Sequence, residues 1–277
     1  MIDKTPYKLS EWVDKDKLIW MNICENPKSI FLLENNIEKI DWKILCMNPN
    51  AMYLLERYPE KIYWNFLSAN PNAIPLLKKN MDKIDWSWLS CNPNAIPLLK
   101  ENMDKIDWDF LSMNPNAIDI IKENMDKISW IFFSKNLNSI EILKKQMNKI
   151  NWFLFSSNPN AVNILKNNKD KIIWEFLSMN PNAIDIIKEN MDKINYVSIA
   201  HNPNAIDIIK ENIDKINWYY LSKNPAIFEI DYEAIKEKTK IKVFEKDLIE
   251  RSLNPHRFTY NIMEYNYDIC NDIYLSF

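Results

Sequence analysis

Tryptophan, or its nearest substitute, returns every 22 residues in this chain: Trp20, Trp42, Trp64, Trp86, Trp108, Trp130, Trp152, Trp174, Tyr196 and Trp218. Asparagine keeps the same beat from Asn26 through Asn48, Asn70 and Asn92 to Asn224, and proline follows it everywhere except at Leu137. A unit this short buries an apolar face only against its neighbours, so a regular period of this kind specifies a stacked array. The expectation is an all-α fold, an α-solenoid of about ten 22-residue helix-turn-helix repeats with helical end caps. Residues 1–19 read as an N-terminal cap or half-repeat, 20–230 as the repeats, and 231–277 as a C-terminal helical cap.

Each unit reads as two short helices. In "NPNAIDIIKEN" the first asparagine suits a helix N-cap and the proline the first helical position, where a missing N–H costs nothing. Ala117, Ile118, Ile120 and Ile121 then form a packed stripe, with Asp119, Lys122 and Glu123 turned to water. Asn124 is placed to close the helix in the left-handed conformation that glycine usually supplies, and the chain has no glycine at all. Asp107, Asn151 and Asn217 cap a second helix whose apolar members are the tryptophan, the residue two later (Phe110, Phe176) and the leucine after that (Leu111, Leu177). Such a helix is unstable alone and depends on burying its aromatic against adjacent units.

Departures from the repeat carry their own expectations. Pro75 and Pro97 fall where each removes an intrahelical hydrogen bond, so the first turn there should be loose or bent. Leu137 and Gln146 make "SKNLNSIEILKKQMNKI" the most degenerate unit. "YKLSEWVDKDKLI" keeps the Lys17 and Leu18 registers but lacks the long first helix. Residues 231–253 read as a charged amphipathic helix, followed by an aromatic-rich closing segment. If neighbours stack about 8–10 Å apart, ten units extend for roughly 80–100 Å.

Composition narrows the function classes. A net charge of -3 with only three arginines gives no electrostatic reason to expect nucleic acid or an anionic membrane. The N-terminus does not read as a signal peptide, and no run approaches a membrane span. Cys24, Cys46, Cys91 and Cys270 lack C-x-x-C pairing, and the spacing of stacked repeats keeps Cys24 from Cys46, so a reduced, intracellular setting is expected. His201 and His256 have no partners at metal-ligand spacing.

The motif "LSxNPNAIxLLKxNxDKIxW", the opening "YKLSEWVDKDKLIW" and the closing "LNPHRF" together resemble a family of uncharacterised short-repeat proteins of giant DNA viruses of amoebae, mimivirus-like viruses in particular. The resemblance covers nearly the whole chain. It implies an all-helical solenoid made in an infected host cell, located in the host cytoplasm or the virion, and brings no catalytic residues.

Two features remain as candidates for chemistry. Lysine holds one register from Lys17 to Lys215, usually after aspartate as in Asp104-Lys105. Its expected role is a surface ladder in which the aspartate of one unit pairs the lysine of the next, each pair contributing at most about 1 kcal/mol. Ser112 and Ser178 are expected to bond local backbone. No catalytic residues, cofactor or metal are expected, and the reading is a non-enzymatic scaffold for a protein partner, with a structural virion component as the alternative and single-stranded nucleic-acid binding ranked below both. The candidate partner-binding face is the one the fold leaves free: Phe31 and Tyr53 near the N-terminus, Asp119 with Glu123, and the acidic pairs Asp185 with Glu189 and Asp207 with Glu211.

Overall fold

The computed structural model describes residues 5–237 and 240. It divides into two compact bodies, Met1–Glu229 and Ile230–Phe277. In the second, residues 232–237 are helical; the expected continuation of that helix, the aromatic closing segment, His256 and Cys270 lie outside the described residues. The repeats occupy the first body and follow the 22-residue period throughout. We number the units one to ten from Trp20 to Trp218.

A representative unit has three short elements. A tryptophan helix (Trp86–Ser90) leads through the Asn-Pro-Asn turn to an isoleucine helix (Ile96–Lys100), and a 3-10 turn (Met103–Lys105) carries the lysine before the next tryptophan. Leu89, Ala95, Leu99 and Ile106 of this unit are buried, as are most of their equivalents in the others (Ile62 and Ile194 are half-buried, and Asp231 stands in the Leu99 register of unit ten), and they merge into one continuous core. Position in the repeat thus decides burial, as in any array held together by nearest-neighbour packing.

Several local expectations change. The asparagine carboxamide does cap: Asn70 Oδ1 accepts from Asn72 N at 2.9 Å, and every unit has the equivalent bond or its counterpart, as Ala226 N to Asn224 Oδ1 shows. What it caps is a tight turn, though, with the isoleucine helix starting only after the alanine. Pro75 and Pro97 consequently sit in the first turn of their helices, where an N–H has no intrahelical partner to lose. The helices there span five residues, as Ile184–Lys188 does without proline. The closing asparagine is not left-handed either. Asn80 has φ −138° and ψ 54°, and its Nδ2 donates to Leu76 O at 3.0 Å, so the side chain satisfies an end carbonyl directly. Asp107, Asn151 and Asn217 cap the tryptophan helices as expected.

Unit six keeps both helices, Trp130–Phe133 and Ile140–Leu143, and Gln146 adopts nearly the asparagine conformation. The tryptophan helix instead degenerates in unit nine, where Tyr196 leads only into a 3-10 turn at Ile199–His201.

Neighbouring units are joined by buried side-chain to backbone bonds. Asn48 Nδ2 donates to Asn26 O at 2.8 Å and to Cys24 O at 2.9 Å, and the same double donation recurs from each unit to the one before. Ser68 Oγ donates to Trp64 O and accepts from Asp85 N of the segment leading into the next unit. Cys24 and Cys46 stand in this serine register with Sγ accepting at 3.3 Å.

The ladder does not end. Asn26 Nδ2 of unit one donates to Asn224 O of unit ten at 3.0 Å, and Ile19 N donates to Ser222 Oγ at 3.0 Å, repeating the interior junctions. Lys17 lies over the Trp218 ring as Lys83 lies over Trp64. Residues 17–19 therefore supply the closing registers of unit ten, which is built from both ends of the chain. Strand β1 (Tyr7–Leu9) pairs with β2 (Phe228–Ile230), Ser10 N donates to Ile227 O at 2.9 Å, and Lys8 meets Glu229 at 3.5 Å. The repeats form a closed ring. This corrects the expectation of an extended stack: each unit turns by about 36° on average, and the last meets the first.

Candidate interaction faces

The lysine register has a partner other than the one expected. In units three, four, five, six and eight the ammonium lies 4.5–6.0 Å from the centre of the ring that opens its own unit, as Lys105 does over Trp86 at 4.5 Å. Units one, nine and ten repeat it with Lys39 on Trp20, Lys215 on Tyr196 and Lys17 on Trp218. Lys127 Nζ also donates to Asn124 Oδ1 at 3.0 Å. Among the described residues the aspartate-lysine pairs of the 3-10 turns are Lys171 with its own neighbour Asp170, at 3.4 Å, and Lys17 with the capping Asp14, at 3.5 Å, neither of them between successive repeats. The half-buried indole face offers an ammonium a contact that loses less to water than an exposed carboxylate does. Hence the ladder runs from lysine to aromatic.

The candidate partner face lies on the isoleucine helices. Tyr53 is 52% exposed and Phe31 half-buried. Asp119, Glu123, Asp185, Glu189, Asp207 and Glu211 are all exposed, with Asp119 paired to Lys122 at 3.3 Å. Ring closure changes how these residues relate. Units eight and nine carry the acidic pairs, unit ten carries Glu229, and units one and two carry Phe31 and Tyr53, so the acidic and aromatic ends of the sequence are neighbours on one arc. Asp119 and Glu123, on unit five, stand apart from it. Glu189 also borders a cleft of about 360 Å³ between units seven and eight, where Lys166, Lys169 and Lys193 surround Trp174.

A second face was missed by treating the residue two after tryptophan as core. Tryptophan helices of adjacent units approach more closely than isoleucine helices do, which puts them on the inside of the curve. Trp88, Phe110, Phe132 and Phe176 are half-buried and do not pack on the core cluster. They face the concave side and meet one another there: Phe66 with Trp88 at 5.6 Å, Trp88 with Phe110 at 5.5 Å. Beside them Ile131 is 55% and Phe153 56% exposed. The signal was present in the sequence, since one unit does not need three large apolar residues in a row of five to fill a single stripe.

The concave wall also holds His201, stacked on Tyr220 at 4.4 Å with its Nδ1 buried and without a hydrogen-bond partner among the described residues. Burial holds its pKa below the usual histidine value, and Lys223 and Lys135 push the same way while Glu25 opposes them. Glu25 and Lys223 pair at 2.7 Å across the closure. Burial raises the Cys24 and Cys91 thiols to about 11, which keeps them protonated and unreactive at neutral pH.

Among the described residues no helix is long and apolar enough to cross a membrane. No protein-family model, curated protein or solved structure matches the chain.

Proposed function

We propose that the ring is a non-enzymatic scaffold that binds a protein partner. The supporting observation is the arc over units eight to two, where closure sets exposed acidic pairs beside Phe31 and Tyr53. Aromatic side chains carry much of the energy at protein interfaces, whereas charges govern encounter and orientation. The isoleucine helices hold this arc on a rigid frame, because their buried faces are fixed by the core and their exposed faces take no part in the ladder. The partner segment that suits the arc has an apolar or aromatic anchor and a basic stretch beside it.

The test is affinity capture from cell extract with identification of the captured protein. Phe31→Ala combined with Tyr53→Ala is expected to reduce capture at least about tenfold with the helical circular-dichroism signal unchanged, in line with losing two aromatic anchors. Reversing Asp185, Glu189, Asp207 and Glu211 to lysine is expected to slow association with the captured partner at low salt. Undiminished capture by both variants removes this arc as the binding face.

A further inference from the structure

Unit seven departs from the repeat where charge is concerned. The turn before the lysine register opens on methionine at Met103, Met125, Met147 and Met191, but on Lys169 in unit seven. The isoleucine helix carries an acid at Asp119, Glu141, Asp185 and Asp207, but Asn163 in unit seven. Asp119 holds Lys122 at 3.3 Å and Glu141 holds Lys144 at 2.6 Å, so Asn163 releases Lys166 from the equivalent pair. Lys166 and Lys169 are exposed and form no ion pair among the described residues, while Asp170 is turned to Lys171 at 3.4 Å.

Both side chains line the cleft of about 360 Å³ between units seven and eight, with Lys193 entering from unit eight. Three lysines against Glu189 leave this cleft a net charge of +2, in a chain whose total is -3. Lys193 is already held, by the Trp174 ring at 5.0 Å and by Asn190 Oδ1 at 3.4 Å, so part of the ordering that a ligand demands is met within the fold. Ile172 and Ile186 are buried and Trp174 half-buried, which gives the cleft an apolar floor. We propose that the cleft binds a small phosphate monoester, its head among Lys166, Lys169 and Lys193 and its organic body against Trp174. Such a head carries a charge of about −1.5 to −2 at neutral pH, which matches the cleft. The volume lies toward the lower end of ligand pockets, about 300–1,000 Å³, and so suits a small ester. The same registers between units five and six hold Lys122, Lys145 and Lys149, but there Asp119 ties Lys122 and Met125 replaces Lys169.

This proposal goes beyond the protein-binding reading and does not depend on it. The test is isothermal titration calorimetry of the purified full chain with two probes, glycerol 3-phosphate and a peptide carrying phosphoserine. Lys169→Met restores the residue that the repeat places there, and is expected to weaken glycerol 3-phosphate binding at least about tenfold with the helical circular-dichroism signal unchanged. Glu189→Gln removes the one carboxylate of the cleft and is expected to tighten binding severalfold, whereas Lys145→Gln leaves it unchanged. Affinity is also expected to fall between about pH 7.5 and pH 5.5, as the ester takes up its second proton near pH 6. Tighter binding of the phosphoserine peptide keeps the site and assigns its ester to a protein; tighter binding of glycerol 3-phosphate assigns it to a free small molecule. Absence of binding at millimolar ester, undiminished binding by folded Lys169→Met, or an equal loss with Lys145→Gln overturns the proposal. The capture result for Phe31→Ala and Tyr53→Ala is unaffected by that outcome.

Discussion

The side chain that most determines this protein is the buried asparagine of each unit. Asn114 Nδ2 donates to Ser90 O and Asn92 O while Oδ1 accepts from Asn116 N, so one carboxamide joins two units and shapes the turn of its own. Aspartate offers no donor, and glutamine is a carbon too long. Asn114→Ala leaves buried carbonyls and an N–H without partners and is expected to cost about 2–4 kcal/mol in chemical denaturation. The sequence announced that this asparagine caps, because that bond is local, but the expectation put the cap on the helix rather than on the turn before it, and the donations to the preceding unit were not announced. His201 gives a second outcome at this scale. Its pKa is lowered in the fold, so the unfolded chain takes up a proton first as pH falls. Stability present above the unfolded value near 6.5 is lost as pH drops toward the folded one. Methionine occupies the same register at Met113 and Met179, and His201→Met is expected to abolish this part of the acid sensitivity in melting temperatures measured between about pH 7 and pH 5.

At the scale of the element, helices of four to six residues survive because each is anchored on one face by the core, and several also by a side-chain cap at one end. In unit four the tryptophan helix begins at Asp85, which accepts from Trp88 N, and ends in Ser90, which bonds the segment leading into the next unit, whereas Tyr63, Ser129 and Ile173 supply no such cap to their helices. Its ring is covered by the lysine of the 3-10 turn. Lys105→Gln is therefore expected to lose about 0.5–1 kcal/mol, whereas Asp104→Asn leaves stability unchanged in the same denaturation assay. Equal losses would restore an ion-pair ladder. Helix existence and cap identity were legible, since both depend on residues a few places apart. The lysine's partner was not, because Trp86 and Lys105 are brought together only when the whole unit has folded back on itself.

At the scale of the whole repeat body, closure removes the distinction between middle and end. Trp20 has unit ten on one side and unit two on the other, so Trp20→Ala and Trp130→Ala are expected to lower the melting temperature by similar amounts. In an open stack the terminal substitution would be milder. Closure also brings Lys8 to Glu229. K8C with E229C is expected to form an intramolecular disulfide under mild oxidation, read as a mobility shift on non-reducing gels, and to stabilise the fold by about 3–5 kcal/mol if native geometry is kept. Failure of the two cysteines to pair in folded monomer would mean that the ring is open in solution.

The sequence by itself determined the period, the all-helical unit, the buried leucine, alanine and isoleucine registers, and the Asp and Asn caps. Each is decided by residues within one unit or by the identity of a register across units. Tertiary structure alone decided that Phe110 and Phe176 face the concave side, that the acidic and aromatic ends of the chain are neighbours, and that residues 17–19 complete unit ten. These depend on the rotation from one unit to the next, a small angle set by packing at each junction and multiplied ten times around the array. A few degrees less per junction leaves a spiral with free ends. The repeat of about 36° closes it, and no single 22-residue unit carries that sum.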